Sequence, residues 1–317
     1  MIHVVGAAGQ TTVQDLGRPG HRGRGIVPGG AADPLALVTA NLLVGNPAGA
    51  AALEMTLLGP ALSVDRPTTI AVSGADLGMR VDGRPCPPWR AHDLPADACI
   101  EFAGRCSGCR AILAVAGGID VASVLGSRAT DLRAGFGGLG GRALRTGDLL
   151  PIGPEPARRP PSGPALAPDL RSHGGGRVRF VAGPEAGWFT AAARDTFATS
   201  PYTLTAASDR MGCRLAGAPL PLAAPRDMLS QAVLPGTVQV PPGGLPIVLL
   251  ADAPVTGGYP RIGVVITVDL PIVAQTMPGE TLRFHEVGLD EALALCRERR
   301  SALARLGAGL ACAETHR

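Results

Sequence analysis

Apolar residues fall in short runs of roughly four to eight, separated by Gly/Pro-rich turns, the rhythm of a β-barrel or sandwich. IHVVG (2–6) predicts a first strand, and TTVQDLGRPGHRGRGIVPGGAADP (11–34) a long polar, glycine-rich loop. A helix should start with Asp33 as N-cap and Pro34 in the first turn, bury Leu35, Val38, Leu42 and Leu43, and stop near Gly45 before Asn46-Pro47. AALEMTLLGPALSV (51–64) predicts two strands around Gly59-Pro60, and TTIAVSGAD (68–76) another. MRVDGRPC (79–86) predicts a hairpin on Asp82-Gly83. CIEFAG (99–104) and RAILAVAGGI (110–119) complete a first β-rich half.

The pattern lapses at PEPARRPPSGPALAPDLRSHGGG (154–176), which reads as a linker between a first domain (1–153) and a second (177–288). Beyond it come a strand in RVRFVAGPE (177–185), a short helix around 186–193, and strand-turn-strand in YTLTAASDRMGCRLAG (202–217). TVQVPPGGLPIVLLADAP (237–254) reads as two strands about Pro241–Gly244, followed by strands in VVITVD (264–269) and TLRFHEV (281–287). In the tail (289–317), Leu289, Leu293, Cys296, Arg300 and Leu303 recur at spacings of 4, 3, 4 and 3, which predicts a helix with that face buried. Two β-rich halves of similar size suggest a duplicated architecture, although no repeat shows in the letters.

The 317 residues are 46% hydrophobic and 17% charged, enough for two domains with real cores. All 29 basic residues are arginine. Without lysine these residues can form neither a Schiff base nor a P-loop. The net charge of +3, with no basic cluster, gives no reason to expect nucleic acid. Seven scattered cysteines do not read as a disulfide framework. The opening MIHVVGAAGQTTVQD lacks the basic and apolar regions of a signal peptide, and no apolar run reaches membrane-spanning length. The expectation is a cytoplasmic protein with no membrane partner.

Several motifs invite chemistry. GFGGLG (135–140) fits G-x-G-x-x-G through Gly135, Gly137 and Gly140, but no strand-then-helix context frames it, so a mobile or phosphate-friendly loop is expected instead of a dinucleotide site. Cys106 and Cys109 form a CxxC, with Cys86, Cys99 and a lone His92 upstream. The CxxC lies between strands and lacks a second tight ligand pair, so no metal is expected. What remains is a set of polar residues in glycine turns: Thr12, Gln14, Asp15 and Arg18; Ser73 and Asp76; Arg128, Thr130 and Asp131; Asp209 and Arg210; and Asp252, Thr256, Tyr259 and Arg261 of DAPVTGGYPRIG (252–263). Such loops can hold a small anion on arginine and backbone N–H groups. Arg18, Arg128, Arg210 and Arg261 are the candidates for that contact. They could equally brace the loops by pairing with Asp15, Asp131 and Asp209, and Asp15 or Asp131 could serve Asx-turns.

QDLGRPGHRGRGIVPGGAADPLALVTANLLVGN (14–46), LEMTLLGPAL (53–62), SRATDLRAGFGGLGGRALRTGD (127–148), SDRMGCRLAG (208–217) and GTVQVPPGGLPIVLLADAPVTGGYPRIGVVITVDLP (236–271), with Gln275, Pro278 and Gly279, resemble the biotin-dependent carboxyltransferase-like family. The resemblance implies a mainly β fold of two cyclophilin-like β-barrel domains with few helices. It implies the activity of the C-type component of an ATP-dependent 5-oxoprolinase, cleaving 5-oxo-L-proline to L-glutamate with a subunit-B-like protein and a separate subunit-A-like protein. Family members of the KipA kind, regulators that bind a kinase-inhibitor partner, and carboxyltransferase components acting on urea or another amide are the alternatives. ATP is the implied cofactor; without lysine, these residues cannot carry covalent biotin. The implied site has Tyr259, Arg261, Asp252 and Thr256 in catalysis. Gln14, Asp15, Arg18, Ser73, Arg128, Asp131, Arg210, Gly257 and Gly258 would bind a small anionic or amide substrate. Where the family usually has a threonine-rich DxQTTGGY, this chain has Pro254 and Val255 in place of polar residues, and Cys213 stands where an aromatic is common.

Overall fold

The computed structural model describes residues 1–157, 160, 170–171 and 174–312. They form two compact units: Met1–Arg18, Gly29–His173 and Ser301–Arg317 make the first, Pro19–Pro28 and Gly174–Arg300 the second. Most of the linker expected at 154–176 lies outside the described residues.

In the first unit two antiparallel sheets face each other across one core. One sheet has six strands, in the order Leu149–Leu150, Ile2–Gly6, Ala61–Val64, Cys99–Phe102, Met79–Val81, Arg84–Pro85. The other has five, in the order Gln10–Gln14, Ala52–Thr56, Ser107–Val115, Thr68–Asp76, Ala91–Leu94. Strand alternation sorts the side chains. Leu53, Met55, Ile70, Val72, Leu113 and Val115 enter the core between the sheets. Ala52, Ala71, Ile112 and Ala114 face the opposite way, against helix α1 (Pro34–Leu43). The five-stranded sheet is thus covered on both faces, which explains why Ile70–Val72 and Ala111–Val115 are unbroken apolar runs with no alternation.

The second unit is a closed seven-stranded barrel. Its strands run Gly176–Ala182, Arg261–Val265, Thr237–Gln239, Ile247–Leu249, Gly212–Ala216, Pro201–Leu204, Thr281–Glu286, and the parallel pairing of the last with the first closes it. Phe180, Phe197, Tyr202 and Phe284 fill the interior; Phe197, from α2 (Ala191–Thr199), stacks on Phe284 with centroids 4.5 Å apart. A chain with only ten Phe, Tyr and Trp residues places these four here. The fold is therefore mainly β with few helices, and backbone hydrogen bonding closes one barrel.

The predicted strands at 2–6, 51–64, 68–76, 202–217 and 237–254 are present, as is the Asp82-Gly83 hairpin, with φ of 48° and 77°. Other expectations are corrected. The loop expected from residue 11 begins as the strand Gln10–Gln14, paired along Ala52–Thr56; Thr11, Thr12 and Gln14 are buried by tertiary contact and so leave no apolar signature. The strand expected through 264–269 ends at Val265 and gives way to a 3-10 turn, Thr267–Asp269, and to α3 (Leu270–Gln275). Asp33 caps α1 as expected, accepting from Ala36 N–H at 2.9 Å. However, α1 is buried nearly all round, most completely at Ala36, Leu37 and Ala40, while Val38 and Leu42 lie on its less buried side. The last helix, α4 (Leu289–Cys312), exposes Leu289 and Leu293. The expected Cys296 and Leu303 do pack, joined by Ala292, Leu295, Ala302 and Leu306 in place of Leu289, Leu293 and Arg300. No helix among the described residues is long and apolar enough to cross a membrane.

Candidate active site

The first unit gathers many of the candidate residues around the end of the strand Gln10–Gln14. Cross-strand register puts Thr12 beside Glu54, Glu54 beside Ile112, and Ile112 beside Ser73, one row on the α1 side of the five-stranded sheet. Glu54 is fully buried and accepts from Ala32 N–H at 2.8 Å. Sequence reading missed it because LEMT looks like an ordinary strand; its charge inside an apolar run was the available signal. Gln14 donates to the Thr12 hydroxyl at 3.1 Å and to the Thr130 carbonyl at 3.2 Å. Gln14 Oε1 and Ser73 Oγ are buried without a protein partner. A buried polar atom left in this state costs about 1–3 kcal/mol, so both are natural contacts for a polar ligand.

The neighbouring loops are stitched together by Asp15. Its carboxylate accepts from Gly17 N–H at 2.7 Å, the Ser127 hydroxyl at 2.7 Å and Arg128 N–H at 2.6 Å. Ser127 is another residue the sequence did not single out. Arg18 is 1% exposed, donates to the Ala129 carbonyl and lies 4.7 Å from the Phe136 ring centroid. Arg128 bonds the Val121 carbonyl and Asp120, both within the same unit. Asp131 accepts from Arg133 and Ala134 N–H groups and so forms its own turn. Asp76 likewise accepts from Gly78 N–H.

The GFGGLG segment is a turn packed at its middle glycines, while Gly135 and Gly140 at its two ends face open space. A side chain on Gly137 would collide with the Ala129 carbonyl, one on Gly138 with the Thr130 hydroxyl, and one on Gly141 with the Gly135 backbone. All three have positive φ. These glycines serve close packing and left-handed backbone together.

In the second unit, DAPVTGGYPRIG is fastened at both ends. The sequence reads it as a crowded turn between two apolar runs. The strands before and after it pair with Thr237–Gln239, not with each other. At its start Asp252 takes both Nε (2.7 Å) and Nη2 (3.0 Å) of Arg210, which is 5% exposed. Asp209 accepts from Met211 and Gly212 N–H groups. At its end Arg261 makes a bidentate pair with Glu185, Nε and Nη2 each at 2.6 Å, and also reaches the Ala232 carbonyl and Gln231 Oε1. The Arg261 guanidinium holds the Glu185 carboxyl below its usual range, and Glu185 in turn raises Arg261. Glu185 and Gln231 were not singled out from sequence, since both lie far from Arg261 along the chain.

Between these anchors Thr256 and Gly257 pair with Ala232 and Gln231. Gly257 leaves room for the Gln239 side chain, whose amide reaches the Tyr259 carbonyl at 3.4 Å. Gly258 lies beside Ser230. The Tyr259 side chain remains 44% exposed and borders a cavity of about 610 Å³ with Leu220, Met228, Pro241 and Pro260. Arg22 donates to the Val233 and Val255 carbonyls, bracing the same region. Thus the structure brings together Asp252, Thr256, Gly257, Gly258, Tyr259, Arg261 and Arg210, and separately Gln14, Asp15, Arg18, Ser73 and Arg128. No cluster of three or more metal-ligating side chains occurs among the described residues.

Residues 24–286 match the carboxyltransferase domain, subdomains A and B. The chain belongs to this carboxyltransferase family. It is 42% identical to the C component of the 5-oxoprolinase of Escherichia coli (strain K12) over 92% of its own length and 93% of that protein's. It is 38% identical to the C component of the Haemophilus influenzae 5-oxoprolinase over 94% of this chain and 95% of the relative. Among solved structures, urea amidolyase of K. lactis superposes with a TM-score of 0.90 at 27% identity, over 96% of this chain but only 20% of the amidolyase. The carboxyltransferase domain here is therefore an enzyme component of the type shared by these 5-oxoprolinases and urea amidolyase.

Proposed function

We propose that this carboxyltransferase-family chain is the C-type component of an ATP-dependent 5-oxoprolinase. It would work with a B-type subunit and a separate A-type protein in the cytoplasm, opening 5-oxo-L-proline to L-glutamate. The observation that carries this reading is the end-to-end correspondence with the Escherichia coli 5-oxoprolinase component, 42% identical over 93% of that protein; the match to urea amidolyase covers only a fifth of the larger chain. We further read both units as cyclophilin-like, the first as a barrel opened into two sheets around a single core.

The second unit's roles divide by exposure. Tyr259 is the reactive-site candidate: its ring is accessible while its backbone is fixed, so its hydroxyl can orient an amide oxygen. The Thr256 hydroxyl and the N–H group of Gly258 offer further hydrogen bonds to a developing negative charge. Arg261 and Asp252, each committed to a two-pronged ion pair, act as positioning residues, and Arg210 acts with them. In the first unit, Gln14, Ser73 and Arg18 are the proposed substrate contacts, with Asp15, Arg128 and Asp131 holding the loops that carry them.

ATP supplies the activation of the lactam. The residues described do not fit a nucleotide loop: the chain has no lysine, and Gly137 and Gly138 in the middle of GFGGLG are packed against the Ala129 carbonyl and the Thr130 hydroxyl. No step on this chain is therefore assigned to the nucleotide. Urea-type carboxyl transfer is the second reading, favoured by the amidolyase superposition, and it would need biotin carried on another chain.

The test is reconstitution of all three components with ATP and 5-oxoproline, following glutamate. Glutamate should form only with the complete set, and Tyr259→Phe should slow it with little change in melting temperature. A complete set that forms no glutamate, yet carboxylates urea when given a biotin carboxylase and its carrier, would move the assignment to the second reading.

A further inference from the structure

The first unit has a second polar recess that plays no part in the site above. Its two sheets end side by side. Arg84–Pro85 is the last strand of the six-stranded sheet, and Ala91–Leu94 the last of the five-stranded sheet. Residues 86–90 join them. The recess between these edges has a volume of about 690 Å³ and is lined by Asp82, Arg84, Cys86, Arg90, His92 and Asp93, among others. That volume is in the range of small-molecule sites.

Its charges are unequally satisfied. Asp82 accepts from Cys99 N–H at 2.9 Å, and Asp93 from the Thr69 hydroxyl at 2.7 Å. Neither Arg84 nor Arg90 has an ion-pair partner among the described residues. Arg90 Nε is moreover buried with no acceptor. A buried, charged donor is rarely left in that condition, because the lost hydration is not replaced. His92 donates from Nε2 to the Pro87 carbonyl at 2.9 Å, which leaves the Nδ1 lone pair to accept from the hydroxyl of a singly protonated phosphate. Burial pushes the Cys86 thiol up, so it lies in the wall uncharged and does not oppose an anion.

The recess is also held in shape. Trp89 adopts a left-handed backbone, with φ of 64°, and its N–H donates to the Val72 carbonyl at 2.7 Å. Its ring is buried against Leu170, Ala302, Leu303 and Leu306. A bulky residue held at positive φ marks a locally over-determined conformation, and here it fixes the residue that immediately precedes Arg90.

We infer that this recess binds a phosphate-bearing small molecule through Arg84, Arg90 and His92. One guanidinium fork is enough for the two coplanar oxygens of a carboxylate. Two separate forks and an imidazole, carried on one sheet edge, on the joining segment and on the other edge, match the oxygens of a tetrahedral phosphoryl group. This assignment stands independently of the reaction proposed above.

Calorimetric titration of the full chain with pyrophosphate in low-salt buffer tests it, with succinate as the carboxylate comparison. Pyrophosphate should bind one per chain, tighter than about 1 mM. Arg84→Gln and Arg90→Gln should each weaken it about tenfold, the loss of one charged hydrogen-bonding group. Arg194→Gln, on the exposed side of α2 in the other unit, should leave it unchanged. Arg84 is exposed, so its variant keeps the fold even if Arg90→Gln does not. The proposal is overturned if pyrophosphate gives no saturable heat, if Arg84→Gln binds like the unaltered chain, or if succinate binds as tightly with the same dependence on Arg84.

Discussion

Replacing Glu185 by glutamine isolates the charge of the pair that anchors GGYPRIG. The carboxylate takes three hydrogen bonds from Arg261, two at 2.6 Å and one from its backbone N–H at 3.2 Å. Glutamine keeps the shape but turns one acceptor into an NH2 group facing a guanidinium N–H. Removing a partner from a fully buried pair costs about 3–5 kcal/mol. Exposed pairs are worth about 0–1 kcal/mol. With side chains 12% and 8% exposed, and Arg261 keeping Ala232 and Gln231, the expected loss for Glu185→Gln at neutral pH is about 2–3 kcal/mol. The assay is urea unfolding followed by Trp188 fluorescence in a Trp89→Phe background, where Trp188 is the only tryptophan and stands three residues from Glu185. The effect must also depend on pH. Because the Glu185 carboxyl is held low in the folded chain, the unfolded chain takes up its proton first as pH falls. The stabilisation is therefore complete above the unfolded value of about 4.3 and disappears as pH drops through the lower folded value. The gap between the unaltered protein and the variant should narrow in that window. A gap that stays constant from neutral pH down to about 3, or widens there, would refute the reasoning.

Two further outcomes follow from the same geometry. Gly137→Ala would force a methyl group into the Ala129 carbonyl at a φ of 72°, so it should destabilise the first unit by about 3 kcal/mol or more, read as an earlier Trp89 unfolding transition; near-neutral stability would contradict the packed-turn reading. Tyr202, buried in the barrel with its hydroxyl on the Ala218 carbonyl at 3.0 Å, has its pKa pushed up to about 12 by burial; in Tyr259→Phe, where it is the only tyrosine, tyrosinate absorbance should rise near that pH and not near 10.

The sequence by itself determined what depends on near neighbours. Asp33-Pro34 set the start of α1, and Asp82-Gly83 set a hairpin, because capping and turn chemistry act over a few residues. The run of short apolar segments was enough to establish a mainly β chain. The absence of lysine excluded whole reaction classes without any coordinates. Candidate residues in DAPVTGGYPRIG were legible because Gly-Gly beside Tyr-Pro-Arg is an odd use of a turn.

Tertiary structure decided everything that depends on who lies opposite. Gln10–Gln14 is a strand because Ala52–Thr56 pairs with it, not because its residues are apolar. The buried surface of α1 differs from the sequence reading because the helix is contacted on nearly all sides, whereas α4 keeps one periodic stripe whose exact residues depend on what it packs against. Above all, the arginines' roles were not legible. Asp209 adjoins Arg210 and Asp131 lies two residues from Arg133, yet each serves its own turn, while Arg210 reaches Asp252 and Arg261 reaches Glu185. A guanidinium pairs with whichever carboxylate the fold brings within about 3 Å. In a closed barrel that partner comes from a distant strand or turn, so no local reading of the chain could have named it.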